Sequence, residues 1–397
     1  QKTRFFKNML QIAAKSAKPC RSLNKRQDLM FKKLLNILLF LPLISAAETA
    51  WADVNVAVIA PQSGSREIWE GAQIAVDELN ENGGLHGEKV NLIMIDDRCD
   101  DRFAVSTAQM ISLHMSRKDK VNLVIGPYCS NAFDQVSGIY AKAGIFQIVP
   151  TPVSHAEAMQ NRAGLIKMVG YQEQQGDAFY KYCQENYPNK KVGLVYDSSV
   201  RSVAAMAAVV QKRFREDKRE AYLAVFDFAA YDGDFEKMAE EMNAASVQIG
   251  YILGKAKSVA KLAKEWRESN SRAVIFTDRY QGENAFPEIM GKDAEGTYIL
   301  SLPTLKDNPD FTETLVKLRL LGIEPHGLSV YGYSAVRLWE ELVKEAGSFS
   351  VAKLSEEIRT GKVDIGWGKT GFKDGIPDNT VGYRIYRIFG QEYAQVE

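Results

Sequence analysis

Histidine and cysteine are scarce in this chain, with four of each in 397 residues. Cys20, Cys99, Cys129 and Cys183 match no zinc spacing, and His86, His114, His155 and His326 are scattered. That excludes a zinc finger or an H-E-x-x-H metalloenzyme. The phosphate-cradling G-x-x-x-x-G-K-[ST] loop is missing: Gly254-Lys255-Ala256 has neither the upstream glycine nor the hydroxyl residue. Gly332-Tyr333-Ser334-Ala335-Val336 lacks the closing glycine of a nucleophile elbow. Asp96-Asp97 and Asp100-Asp101 flank Cys99 without the spacing of a calcium loop, and they read as a solvated loop. Cys183 sits in a helical pattern, and the sequence does not show the electropositive setting a nucleophile needs, so it reads as a partly buried thiol. Glycine (29) and proline (12) are too few for low-complexity bulk. Hydrophobic residues at 46% and charged residues at 25% are those of an ordinary globular protein, and the length allows two or three domains. With no catalytic, metal or cofactor signature, the chain reads as a binder that uses no cofactor.

The formal net charge of zero averages two unlike parts. Residues 1–52 carry ten Lys or Arg against two Asp or Glu, a net of +8. The remaining 345 residues carry 40 basic against 48 acidic side chains, a net of −8. An acidic body lacks the basic face that nucleic-acid binding needs, so no nucleic-acid partner is expected. Met30-Phe31-Lys32-Lys33 opens a basic region, an apolar run fills 34–46, and Ala50-Trp51-Ala52 supplies small residues at a cut. This is the layout of a secretory signal peptide over 30–52, cleaved to leave Asp53 first. The run falls short of the roughly 20 residues that span a bilayer. Residues 1–29 precede it and are set aside as an upstream extension. Export to an oxidising compartment would leave Cys99, Cys129 and Cys183 as one disulfide and one free thiol.

Strand-like and helix-like segments then alternate. Apolar runs at 54–60, 89–95, 121–125, 146–149, 165–169, 191–196, 222–228, 247–253, 273–276 and 297–300 read as strands buried on both faces. Between them 68–80, 103–116, 131–143, 173–187, 201–215, 234–244 and 258–269 show helical periodicity; Ala72, Ala75, Val76 and Leu79 are one example. Repeated βα units predict parallel, doubly wound sheets, and ten strands predict two lobes rather than one sheet. Beyond Pro303 the pattern turns helical over 311–321, 329–346 and 351–360, with a late strand at 383–389.

Particular residues then resemble a known family. DVNVAVIAPQSG over 53–64, Gly71-Ala72, Leu79-Asn80 and Gly83-Gly84-Leu85-His86-Gly87 look like the opening of type I periplasmic solute-binding proteins, the leucine/isoleucine/valine-binding group of ATP-driven importers. Asp96-Asp97-Arg98-Cys99-Asp100 and Gly126-Pro127-Tyr128-Cys129-Ser130 resemble that family's D-D-x-C-D and G-x-x-C-S segments. The resemblance implies an α/β fold of two doubly wound parallel-sheet lobes joined by a three-stranded hinge. Lobe 1 would be 53–169 plus 302–370 and lobe 2 would be 170–301 plus 371–397, with crossings near Val169-Gly170, Leu300-Ser301 and Gly371-Phe372. It also implies a Cys99–Cys129 disulfide, a periplasmic monomer, and an inner-membrane ABC permease with its ATPase as partners. The ligand would be a small amino acid or organic acid held between the lobes.

Site residues follow from the same resemblance, one position at a time. Ser130 falls where the family holds the ligand carboxylate, and it also reads as a helix N-cap. Trp69 falls near an aromatic cover, Thr151 and Val153 or Ser154 on the carboxylate-binding stretch, and Tyr333 on a cleft tyrosine. Arg201 and Lys255 stand where the family has two cleft tyrosines, and Arg279 stands at its ammonium-gripping acid; Asp278 or Glu283 supplies that acid in another register. Three basic residues predict an anionic ligand ahead of leucine or valine. A ligand-sensing regulator on the same fold is the alternative reading; a secreted hydrolase lacks a triad.

Overall fold

The structure, a computed structural model, describes residues 54–114, 120–129, 132–152, 162–278, 285–302, 312–320, 327–364, 369–378, 382–390 and 392–396. All belong to one compact unit that starts at Ala52.

The first sheet is built from β1 (Val54–Ile59), β2 (Val90–Ile95), β3 (Val121–Ile125), β4 (Phe146–Val149) and β5 (Leu165–Lys167), in the order β2-β1-β3-β4-β5. Every pairing is parallel. All six residues of β1 are buried, which is why its sequence is a continuous apolar run rather than an alternating one. The crossovers are α1 (Gln62–Glu81), α2 (Asp101–Leu113) and α3 (Phe133–Ala143). Asp100 caps α2, accepting from the Phe103 amide at 2.9 Å.

The second sheet repeats the plan. It holds β6 (Val192–Tyr196), β7 (Leu223–Asp227), β8 (Ile249–Leu253), β9 (Val274–Asp278) and β10 (Tyr298–Ser301), with α4 (Gln174–Asn186), α5 (Arg201–Glu216), α6 (Phe235–Ala244), α7 (Ala256–Ser269) and the short α8 (Ala285–Met290). Its parallel part runs β7-β6-β8-β9-β10, the same permutation as the first sheet. One face packs around the fully buried Trp266, whose indole donates to Asn243 Oδ1 at 2.9 Å. The other carries an aromatic stack, with Phe179 over Tyr251 at 4.0 Å and Phe276 over Tyr298 at 4.5 Å between ring centres.

After β10 the chain returns to the first sheet through α9 (Thr312–Leu320), α10 (Gly327–Ala346) and α11 (Val351–Thr360). α10 lies hard against α1. A side chain at Gly71 would overlap the carbonyl oxygen of Ser329, and one at Gly332 would overlap that of Ile68. These two glycines let the helix backbones touch, and Ala72, Ala75, Val76, Ala335, Val336 and Trp339 fill the layer beneath.

The end of the chain adds two short two-stranded ribbons, β11 (Val363–Asp364) with β12 (Lys369–Thr370) and β13 (Phe372–Lys373) with β14 (Ile376–Pro377). Then β15 (Arg384–Phe389) joins β10 antiparallel, and β16 (Glu392–Gln395) forms the edge.

The crossings between sheets can be read from core membership. Val169 packs in the first lobe's core and Phe179 in the second's. Leu300 belongs to the second and Leu302 to the first. The third crossing differs from the sequence reading at Gly371-Phe372. Phe372 and Tyr383 pack on the first lobe's core and Ile376 beside Phe133, whereas Ile385 is in the second lobe's core. The crossing therefore falls at Tyr383-Arg384. The reason is the β13–β14 ribbon: Gly375, at φ +73°, brings its backbone against β5, where the Lys167 amide donates to the Gly375 carbonyl at 2.7 Å. No apolar periodicity announces that contact. Helix α1 also begins at Gln62, six residues before its periodicity is visible.

Candidate functional site

Both parallel sheets reverse their strand order between the first strand and its two neighbours, at β2-β1-β3 and β7-β6-β8. Loops leave such a switch point in opposite directions, and the crevice between them is where α/β sheets hold ligands. A cavity of about 410 Å³ lies there, lined from both lobes and from the hinge.

The first lobe contributes the loops after β2, β3 and β4. Cys99 and Cys129 line the cavity and are joined by a disulfide with Cα atoms 5.5 Å apart. Thr151 is buried and its hydroxyl donates to the Tyr128 carbonyl at 3.1 Å, so the exits of β3 and β4 are tied together. Buried Gln147 adds a second tie, donating to the Gly126 carbonyl at 2.7 Å. The acidic cluster around Cys99 holds the turn. Asp96 accepts from the amides of Gln62 (3.0 Å) and Arg98 (2.9 Å), and Asp97 accepts from Cys99 (3.2 Å). Asp97 is buried, not solvated as the sequence suggested; burial raises its pKa, and its amide hydrogen bonds pull the other way.

The second lobe contributes Val200 and Ser202 at the start of α5, Lys255 at the N-terminus of α7, and Asp278 at the end of β9. Lys255 is exposed to the cleft. A cation and a carboxylate therefore share this wall. The hinge contributes Gln172, Gln175, Ser301 and Tyr383. Desolvation drives the Tyr383 phenol far above its ordinary pKa, and the charge of Asp278 drives it further, so it stays a neutral hydroxyl.

Of the residues singled out in the sequence, Thr151 and Lys255 line the cavity, as does Asp278. Arg201 sits exposed between two lining residues without lining it itself. Trp69 is buried in the first lobe's core. Tyr333 faces α1, donating to Glu78 Oε2 at 2.8 Å, and Lys317 pairs with the same carboxylate at 3.0 Å. On α10 it is Leu328 that reaches the cavity. Ser130, Val153, Ser154, Arg279 and Glu283 lie outside the described residues. Tyr128, Gln172, Gln175, Ser301 and Tyr383 were not selected from sequence. Tyr128 lies inside the G-x-x-C-S segment and could have been; the hinge residues carry no local signal.

Residues 53–391 match the family described as Periplasmic binding protein. The chain belongs to that family. Its relatives include the Leu/Ile/Val-binding protein homolog 1 of Brucella melitensis, 26% identical over 366 residues that cover 90% of this chain and 96% of that one. An amino acid binding protein of Pseudomonas aeruginosa is 24% identical over 352 residues, 86% of this chain and 91% of the relative. Among solved structures, the leucine binding protein LivK of Thermotoga maritima superposes with a TM-score of 0.73 at 22% identity, covering 87% of this chain and 98% of that one. LivJ of Streptococcus pneumoniae, in complex with isoleucine, gives 0.72 at 20% identity, covering 87% and 99%. The chain is thus a two-lobed binding protein and not an enzyme. Among the described residues, no group of three or more His, Cys, Asp or Glu is placed to hold a metal ion, and no helix is long and apolar enough to cross a membrane.

Proposed function

We propose that this chain is the substrate-binding component of an ABC importer of the branched-chain amino-acid type. It would capture a small amino-acid-like or carboxylate ligand between its lobes and present the closed form to an inner-membrane permease with its ATPase. The observation that carries the reading is the cavity at both switch points, walled by two lobes that three chain crossings join among the described residues. Such a connection permits closure as a hinge motion. In this reading the two lobes are the halves of the clamp.

Lys255 and Asp278 on one wall support a ligand with both charge signs, or a carboxylate alone. The carboxylate end is assigned to the loops that carry Ser130, Thr151 and Ser154, where the start of α3 favours an anion. The ammonium end is assigned to Asp278, with Lys255 and Arg279 favouring additional acidic groups. The names of the Brucella and Pseudomonas relatives support an amino acid as the cargo. The leader at 30–52 and the Cys99–Cys129 bridge support export to the periplasm.

Native mass spectrometry of the protein purified from periplasm tests this reading, followed by calorimetry with amino acids and organic acids. A retained small zwitterion or carboxylate that compacts the protein in small-angle scattering is the expected result. A folded protein that binds none of them would overturn it.

A further inference from the structure

The hinge side of the cavity carries polar groups that the protein leaves unsatisfied. Gln175 is 1% exposed and Ser301 is 3% exposed, and both line the cavity. Gln175 Nε2, Ser301 Oγ and Gln172 Oε1 are all buried without a hydrogen-bond partner. They come from two different hinge crossings: Gln172 and Gln175 enter with the first, Ser301 with the second. Beside them stands Tyr383 from the third, a hydroxyl held neutral. Buried polar groups are satisfied in almost all native proteins, so three open ones around one cavity call for a hydrogen-bonding partner inside it.

The chemistry of the set is specific. A glutamine amide donates and accepts, and so do serine and tyrosine hydroxyls, while none of them carries a charge. Their complement is a compact neutral group that also donates and accepts. A methyl or isobutyl group placed there would leave three dipoles buried and unpaired. A carboxylate could only accept, so it would waste the acceptor Gln172 Oε1.

We infer that Gln172, Gln175 and Ser301 form a hydrogen-bonding subsite at the hinge, and that it selects ligands ending in a carboxamide or urea-type group over aliphatic ones. This rests on the reading of the cleft as an amino-acid site and names the class of amino acid it takes. Each buried group left unpaired weakens binding by a factor of about ten to a hundred. Sites built to pair a polar group reject isosteres that lack it far better than apolar pockets reject an extra methyl.

Isosteric pairs test it by calorimetry on the mature chain: asparagine against leucine, and glutamine against homoleucine, with acetamide and urea as fragments. The amide member of each pair should bind at least ~100-fold tighter. Gln175→Leu should cut that preference by at least ~10-fold, and the milder Ser301→Ala should reduce it without changing the melting temperature. If leucine or homoleucine binds as tightly as its amide partner, the inference fails and the amino-acid reading stands. If the fragments bind and no amino acid does, the subsite stands and the amino-acid reading fails. If nothing in the panel binds to folded protein, both fall.

Discussion

Replacing Gly332 with alanine sets two effects of opposite sign against each other. Alanine favours a helix interior by about 1 kcal/mol over glycine. At Gly332, however, the added methyl would overlap the Ile68 carbonyl of α1, a backbone atom that cannot turn aside as a side chain does. The helices must separate, and contacts between Ala72, Ala75, Val76 and Ala335, Val336, Trp339 loosen with them. Overpacking of this kind costs about 1–3 kcal/mol, and a rigid obstacle places it at the upper end. The net expectation is a loss of about 2 kcal/mol. Gly138 in α3 is the control: an added methyl meets nothing nearer than the Arg162 guanidinium at 3.9 Å, so Gly138→Ala should gain about 0.5–1 kcal/mol. Urea unfolding followed by far-ultraviolet circular dichroism reads both. Wild-type stability in Gly332→Ala, or equal losses in the two variants, would refute the argument from backbone contact.

Other consequences can be checked separately. The Cys99–Cys129 bridge closes a loop of 30 residues, so its reduction should remove about 3–4 kcal/mol of stability, measured by unfolding with and without reductant. In the native protein the buried thiol of Cys183, its pKa pushed up by desolvation, should resist alkylation at pH 8 and react only after unfolding. Buried Lys167 donates to the Asp374 carbonyl at 3.3 Å, and desolvation lowers its pKa to about 8. Its unfolded value is about 10.4. Between these values the unfolded chain holds more protons, so stability should rise with pH, by up to about 1.4 kcal/mol per pH unit. Lys167→Met should flatten that rise; an unchanged slope between pH 8 and 10 would exclude Lys167 as its source.

What sequence could reveal follows from how local each signal is. Strands β1, β3, β6 and β8 are continuous apolar runs because both faces are covered, and that pattern survives in one dimension. Helix α7 is legible for the same reason, with Val259, Leu262, Ala263 and Trp266 on one face. The β13–β14 ribbon is not, since two residues per strand carry no period and its hold on β5 is a backbone contact at Gly375. At the site, Thr151 and Lys255 were legible because each follows a strand end inside a family segment. Gln172, Gln175, Ser301 and Tyr383 were not, because three hinge segments far apart in the chain, at 172–175, 301 and 383, must first converge. Tyr333 shows the opposite case: the resemblance suggested the cleft, and in the structure the helix turns its hydroxyl toward Glu78.

The discontinuity of the lobes also dictates an order of assembly. The first sheet ends at Lys167, yet the helix that seals one of its faces, α10, begins only at Gly327. In the second sheet β10 pairs with β9 on one side, and its other edge stays open until Arg384–Phe389 arrives. A chain emerging from its N-terminus can thus complete the face of the first sheet that packs between Ala57 and Ile145, but the opposite face and the outer edge of β10 wait for the last fifth of the sequence. Contacts that span so much of the chain make closure slow.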